Sequence, residues 1–198
     1  MATWLRAAAL TLTLAVVAAC TPSTVTSPSP SVSSAQPTYL CSGAPGTSPA
    51  PCDKAKYDEQ QKAKALEDEA KGVYERYWKE YMRLTEAGGT TEATQELRAT
   101  VSDSFLPTIV ALLKFQKDNS VVPQTLKHSL TLTISTTDTV ADSLVTVVGC
   151  EDTRGSVFVN PAGKVFGNGS LSLETRFFKR EAGQLKMFAG RGKEVTQC

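Results

Sequence analysis

Histidine occurs once in this chain, at His128. A general base would suit it, but a catalytic triad needs a nucleophile and an orienting group in reach, and no such motif surrounds it. Charge of one sign is also lacking. There are 21 basic and 20 acidic residues, and setting aside Arg6 leaves 20 against 20. A nucleic-acid partner calls for a basic excess or stripe, so none is expected. Beyond the first twenty residues there is no long apolar run, and so no second membrane span. Short cysteine pairs repeated at ligand spacing are missing too, which argues against a structural zinc site. Gly163, Gly167 and Gly169 lack the strand-to-helix setting and the Lys-Ser/Thr end that a phosphate loop needs. No cofactor and no catalytic residue is therefore expected.

What is present begins at the N-terminus. Arg6 precedes the uncharged run Ala7 to Ala19, which has the length of a signal-peptide core and falls short of the roughly 20 residues that span a bilayer. The run ends in Val17-Ala18-Ala19-Cys20. This resembles the bacterial lipobox, in which an aliphatic residue and two small ones precede a cysteine that receives a diacylglycerol. The resemblance implies cleavage before Cys20, lipidation on it, and attachment to a membrane by acyl chains. Residues 1–19 are then a signal peptide, and everything after Cys20 lies outside the cytoplasm. Two or three chains hold firmly, because each buried methylene contributes about 0.8 kcal/mol.

Four further cysteines remain: Cys41, Cys52, Cys150 and Cys198. An even number in an exported chain reads as disulfides. Three pairings are possible. Cys41–Cys52 and Cys150–Cys198 are favoured, the first two lying close together in a Pro/Gly/Ser segment and the second two in the folded part.

Thr21 to Pro51 contains no Lys, Arg, Asp or Glu and is rich in Ser, Thr and Pro. Such a segment buries too little apolar surface to fold. Residues 20–52 are expected to form a disordered tether, with at most a local Cys41–Cys52 loop at its end. At Asp53 the character changes, and 53–198 is expected to be one domain. Ala70, Val73, Tyr74, Tyr77, Trp78, Tyr81 and Leu84 recur at spacings of three and four, the mark of one apolar helix face. Glu75 with Lys79 and Arg76 with Glu80 stand four apart on the other face. Gly88-Gly89 stops the helix. A short helix after Thr91, a break near Ser102 and a helix through Ile109 and Leu113 follow, with Asp103 or Ser104 as the cap that puts Pro107 in the first turn.

After Pro123 the period becomes two. Leu126, Leu130, Leu132 and Ile134 form one set, and Val140, Leu144, Thr146 and Val148 another. Asn160-Pro161-Ala162-Gly163 and Glu181-Ala182-Gly183 read as hairpin turns between further strands. Helices followed by an antiparallel meander predict an α+β fold.

That order, with Cys150-Glu151-Asp152-Thr153-Arg154, a hairpin and a late Cys198, is similar to exported lipoproteins of actinobacteria and their phages that carry a nuclear transport factor two-like domain. The resemblance implies a cystatin-like cone: N-terminal helices packed on a curved antiparallel sheet. Two groups of candidate site residues follow. Tyr74, Tyr77, Trp78 and Tyr81 are core positions that could also line a pocket. Among Asp138, Asp142, Glu151 and Asp152, one carboxylate could lie in the cone cavity, where related folds use such a group as a base. The expected function is a membrane-anchored, non-enzymatic binding or interaction module facing outside the cytoplasm. Its partner is an unidentified protein or small molecule. The alternatives are a superinfection-exclusion lipoprotein of a phage or prophage, and a small hydrolase or isomerase using a cavity carboxylate.

Overall fold

The structure is a computed structural model that describes residues 38–43 and 46–198. Cys20, the leader and the tether up to Pro37 lie outside the described residues. The described chain is mixed α+β, with three helices and three antiparallel sheets.

The first element is the local Cys41–Cys52 loop expected at the end of the tether, here folded as a hairpin. Strand β1 (Tyr39–Cys41) pairs with β2 (Ala50–Cys52), and Cys41–Cys52 closes the hairpin. It packs on helix α1 (Lys54–Glu86) through the Tyr39 and Tyr57 rings, 5.2 Å apart, and through two hydrogen bonds between the Ser42 backbone and the Gln60 side chain. Composition argued against order here because the segment has no apolar periodicity. The disulfide and the adjacent helix supply the order instead. The Asp53 side chain caps α1 by accepting from the Lys56 N–H at 2.8 Å. The helix is about 50 Å long at 1.5 Å per residue, and its fully buried residues begin only at Ala70.

Gly88 and Gly89 end α1, both at positive φ. Gly89 is required twice over. Its φ is +84°, and a Cβ there would stand 2.1 Å from the Leu113 carbonyl oxygen. The expected charge ladder differs. Arg76 reaches Glu96 at 3.1 Å, Glu80 is bound by Arg83 at 2.7 and 2.8 Å, and Glu75 and Lys79 form no ion pair among the described residues. Partners beyond the helix and at i+3 outcompete these weak i,i+4 pairs.

Helix α2 (Gln95–Thr100) is a short piece capped by Thr94, and α3 (Leu106–Asp118) follows. Pro107 does fall in the first turn of α3, but the cap position is Phe105, with no side-chain hydrogen bond. Of the two expected caps, the Ser104 hydroxyl shares a hydrogen bond with Ser102 instead, and Asp103 is held through its backbone N–H, which donates to the Glu181 carboxylate.

Seven strands complete the chain: β3 (Val122–Thr125), β4 (Ser129–Ser135), β5 (Val145–Asp152), β6 (Val157–Val159), β7 (Val165–Asn168), β8 (Leu171–Glu181) and β9 (Gln184–Glu194). They form a four-stranded sheet in the order β4-β5-β8-β9 and a three-stranded one in the order β3-β6-β7. Asn160 accepts two backbone N–H bonds in the β6–β7 turn. Ala182 and Gly183, both at positive φ, make the tight β8–β9 turn.

The inward phase of β5 is opposite to the expected one. Val145 and Val147 are core, whereas Leu144 is 54% exposed. Val140 precedes the strand, and Asp142 turns the chain at φ 68° just before it. In a run as apolar as Leu144-Val145-Thr146-Val147-Val148 either phase fits the pattern. α1 lies over the face carrying Val145, Val147, Phe178 and Met187, and with Leu97, Ile109 and Leu113 these form one core. Cys150–Cys198 ties the C-terminus to β5.

Candidate functional site

A cavity of about 510 Å³ opens between α1, α3 and the β5-β8-β9 face of the large sheet. The 3.6-residue period of α1 brings Tyr77, Trp78 and Tyr81 to one wall, and Phe105, Ile109 and Leu112 form another. The period of two along β8 sets Ser172, Glu174 and Arg176 on the floor, and Glu151 of β5 joins them.

The polar floor is a connected cluster. The Tyr74 hydroxyl donates to Glu151 Oε1 at 2.7 Å. Arg176 Nη2 stands 2.9 Å from Glu174 Oε2 and 4.0 Å from Glu151 Oε1. All three charged side chains are largely buried, at 11 to 16% exposure. Glu151 Oε2 accepts no hydrogen bond among the described residues.

Glycine makes this arrangement possible. Arg176 is registered opposite Gly190, and Glu174 opposite Gly192. A Cβ at Gly190 would lie 2.4 Å from Arg176 Nη1, and one at Gly192 would lie 2.1 Å from Glu174 Oε1. Gly149 does the same for Tyr74, whose hydroxyl would be 2.6 Å from an added Cβ. The side chains therefore lie flat across neighbouring strands instead of standing off them.

Burial dominates the electrostatics of Glu151. It pushes the carboxyl up to about 7, against the opposing pull of the Tyr74 hydrogen bond and the Arg176 charge, with Glu174 adding a further upward push. Burial likewise raises the Tyr74, Tyr77 and Tyr81 phenols, so they remain neutral donors. Two buried donors in this region, Trp78 Nε1–H and Arg176 Nε–H, have no partner among the described residues. An unpaired buried donor costs about 1–3 kcal/mol. Chemically, the cluster can hold a proton near neutrality and can present one carboxylate oxygen to a molecule in the cavity.

Of the aromatic residues singled out by spacing, Tyr77, Trp78 and Tyr81 line the cavity, while Tyr74 is fully buried behind them as the partner of Glu151. Of the four carboxylates, only Glu151 belongs to the cavity. Asp138 pairs with Arg191, and Asp142 sits in its turn. Asp152 binds Arg154 through both side-chain and backbone groups, which holds its carboxyl down at about 2. His128 is exposed and meets the Trp78 ring edge-on at 6.1 Å, outside the cavity lining. Glu174 and Arg176 were not anticipated. The available signal was alternation: Ser172, Glu174 and Arg176 share the phase of Phe178, and glycines stand at matching steps on the next strand.

No protein-family model matches this chain, and no curated protein matches it in sequence.

Proposed function

We propose that this chain is an extracytoplasmic lipoprotein, anchored through Cys20, whose domain is a nuclear transport factor two-like cone that binds a small molecule without transforming it. The observation that carries the reading is the buried Glu151–Arg176–Glu174 floor beneath an aromatic-walled cavity. Ligand sites combine a mostly apolar wall with a few convergent polar groups in this manner, at volumes of about 300–1,000 Å³. Two disulfides support placement outside the cytoplasm. Among the described residues no helix is long and apolar enough to cross a membrane, which leaves attachment to the motif ending at Cys20.

A second reading is favoured by one specific observation. A carboxyl held near 7 in a cavity is suited to taking and returning a proton, as an isomerase or hydrolase of the cone type would require. Against it, the groups nearest to Glu151 are a phenol and a guanidinium, and Glu174 on the same floor is paired with that guanidinium.

Two measurements test the proposal. Mass spectrometry of the membrane fraction should show an acylated N-terminal cysteine that disappears in Cys20→Ala. Native mass spectrometry of protein taken from its own envelope should show a bound small molecule that a folded, cavity-filling Ser172→Trp variant lacks. Identical masses for the two proteins, apart from the substitution, would sink the binding role.

A further inference from the structure

We propose that the cavity takes a compact organic cation, an ammonium group carrying apolar substituents. This rests on the binding reading and adds the class of ligand. The strand period decides the local charge. Glu174 and Arg176 on β8, Glu194 on β9 and Glu151 on β5 share the inner face, so that face carries three carboxylates against one guanidinium. Arg191 and Lys193 also border the cavity, but from β9 positions one step out of phase with that face. Arg191 is turned to the opposite face, 5.5 Å over the Phe177 ring and paired with Asp138.

The one guanidinium is already committed, since Arg176 lies 2.9 Å from Glu174. An anionic ligand would have to break that pair or reach Lys193 at the rim, in either case while facing Glu151 and Glu194. A cation meets the free Oε2 of Glu151 without disturbing it. The opposite wall suits the same ligand. Tyr77, Trp78 and Tyr81 line it, and Trp78 and Tyr81 lie 15° from coplanar with centroids 6.5 Å apart. A substituted ammonium packs its carbon shell on such rings and its charge against their electron-rich faces. A bare metal ion gains nothing from them, and no group of three metal-type ligands converges among the described residues.

The test uses Trp78 as its reporter. The chain has two tryptophans, Trp4 and Trp78, so in a full chain carrying Trp4→Phe the emission reports the cavity wall alone. Three ligands are titrated: benzyltrimethylammonium, its uncharged carbon isostere neopentylbenzene, and phenylacetate. The cation should bind at least tenfold more tightly than the isostere, and phenylacetate more weakly still. Glu151→Gln preserves the shape and the acceptor for Tyr74, and should bring the cation to within about twofold of the isostere. Tyr81→Leu should weaken the cation more than the isostere. Equal binding of cation and isostere by the parent chain, or tighter phenylacetate, overturns the cation assignment and leaves the binding reading standing. No response to any of the three at millimolar concentration overturns both.

Discussion

Glu151→Gln is the perturbation whose outcome the structure fixes most closely. In the folded protein the Glu151 carboxyl sits at about 7, against an ordinary value of 4.5, chiefly because it is buried. A carboxyl raised on folding opposes the fold once it ionises. Below about pH 4.5 it is protonated in both states and costs nothing. Between about pH 4.5 and 7 the unfolded chain has released the proton that the folded chain still holds, and stability falls as pH rises through that window. A shift from 4.5 to about 7, at about 1.4 kcal/mol per unit, amounts to about 3 kcal/mol, complete only above pH 7. Gln does not titrate and still accepts from the Tyr74 hydroxyl. The variant should therefore match the parent near pH 5 and exceed it at pH 8 by up to about 3 kcal/mol. For a domain of this size that is on the order of 10 °C in Tm. Melting curves of parent and variant followed by circular dichroism, at half-unit steps from pH 5 to 8, give the difference directly and cancel every other titrating group. Parallel curves, or a variant less stable at pH 8, would show that Glu151 is paired well enough to ionise freely and would refute the argument from burial.

Three further outcomes follow from single contacts. Replacing Cys150 and Cys198 together by Ser opens a loop of 48 residues' separation. It should cost up to about 4 kcal/mol by loop-closure entropy, and an unchanged midpoint in urea would show that the bridge does not hold the C-terminus. Gly89→Ala places a Cβ 2.1 Å from a backbone oxygen at φ +84°. The backbone cannot yield cheaply, so the loss should exceed about 2 kcal/mol in thermal unfolding; a loss below 1 would mean that α1 and α3 can move apart. Gly192→Ala meets only the mobile end of the Glu174 side chain, so it should leave the melting temperature within a few degrees while displacing the carboxylate from Arg176, seen as a shifted Arg176 Nε–H resonance.

Much of this fold was legible because it depends on periodicity. The apolar stripe of α1 lies on a helix that a Gly-Gly pair ends, and each of the two hairpin turns carries a glycine at positive φ, Gly163 and Gly183. What failed did so where two patterns compete. Leu144 to Val148 is apolar in both phases, and only the turn at Asp142 and the packing of α1 decide which face goes inward. The β1–β2 hairpin was legible only through its two cysteines, since it carries no apolar pattern and is held by a covalent bond and a neighbouring helix. Tyr77, Trp78 and Tyr81 were legible as one face, but spacing does not say whether a face is filled or hollow. Glu174 and Arg176 read as ordinary strand charges until the register sets glycines opposite them.

A cation and a proton would compete for the same oxygen of Glu151, and this gives the proposed site a signature separate from affinity. The charged and titratable groups around that carboxylate are Arg176 and Glu174 from β8, the Tyr74, Tyr77 and Tyr81 phenols from α1, and Lys193 and Glu194 from β9 at the cavity rim. The phenols are pushed up by burial and stay neutral, and Arg176 stays charged, so Glu151 is the member that changes state near neutrality. A bound ammonium favours the ionised form and draws the carboxyl down from about 7. By linkage its affinity rises with pH until Glu151 is fully ionised. Benzyltrimethylammonium should then raise the melting temperature more at pH 8 than at pH 5.5, because stabilisation by a ligand follows its concentration relative to Kd. It should also flatten the decline in stability that Glu151 otherwise produces. The isostere neopentylbenzene has no charge to couple and should shift the two melts equally. A cation shift that is the same at both pH values, or that persists at full size in Glu151→Gln, would place the ammonium away from the carboxylate and refute the linkage.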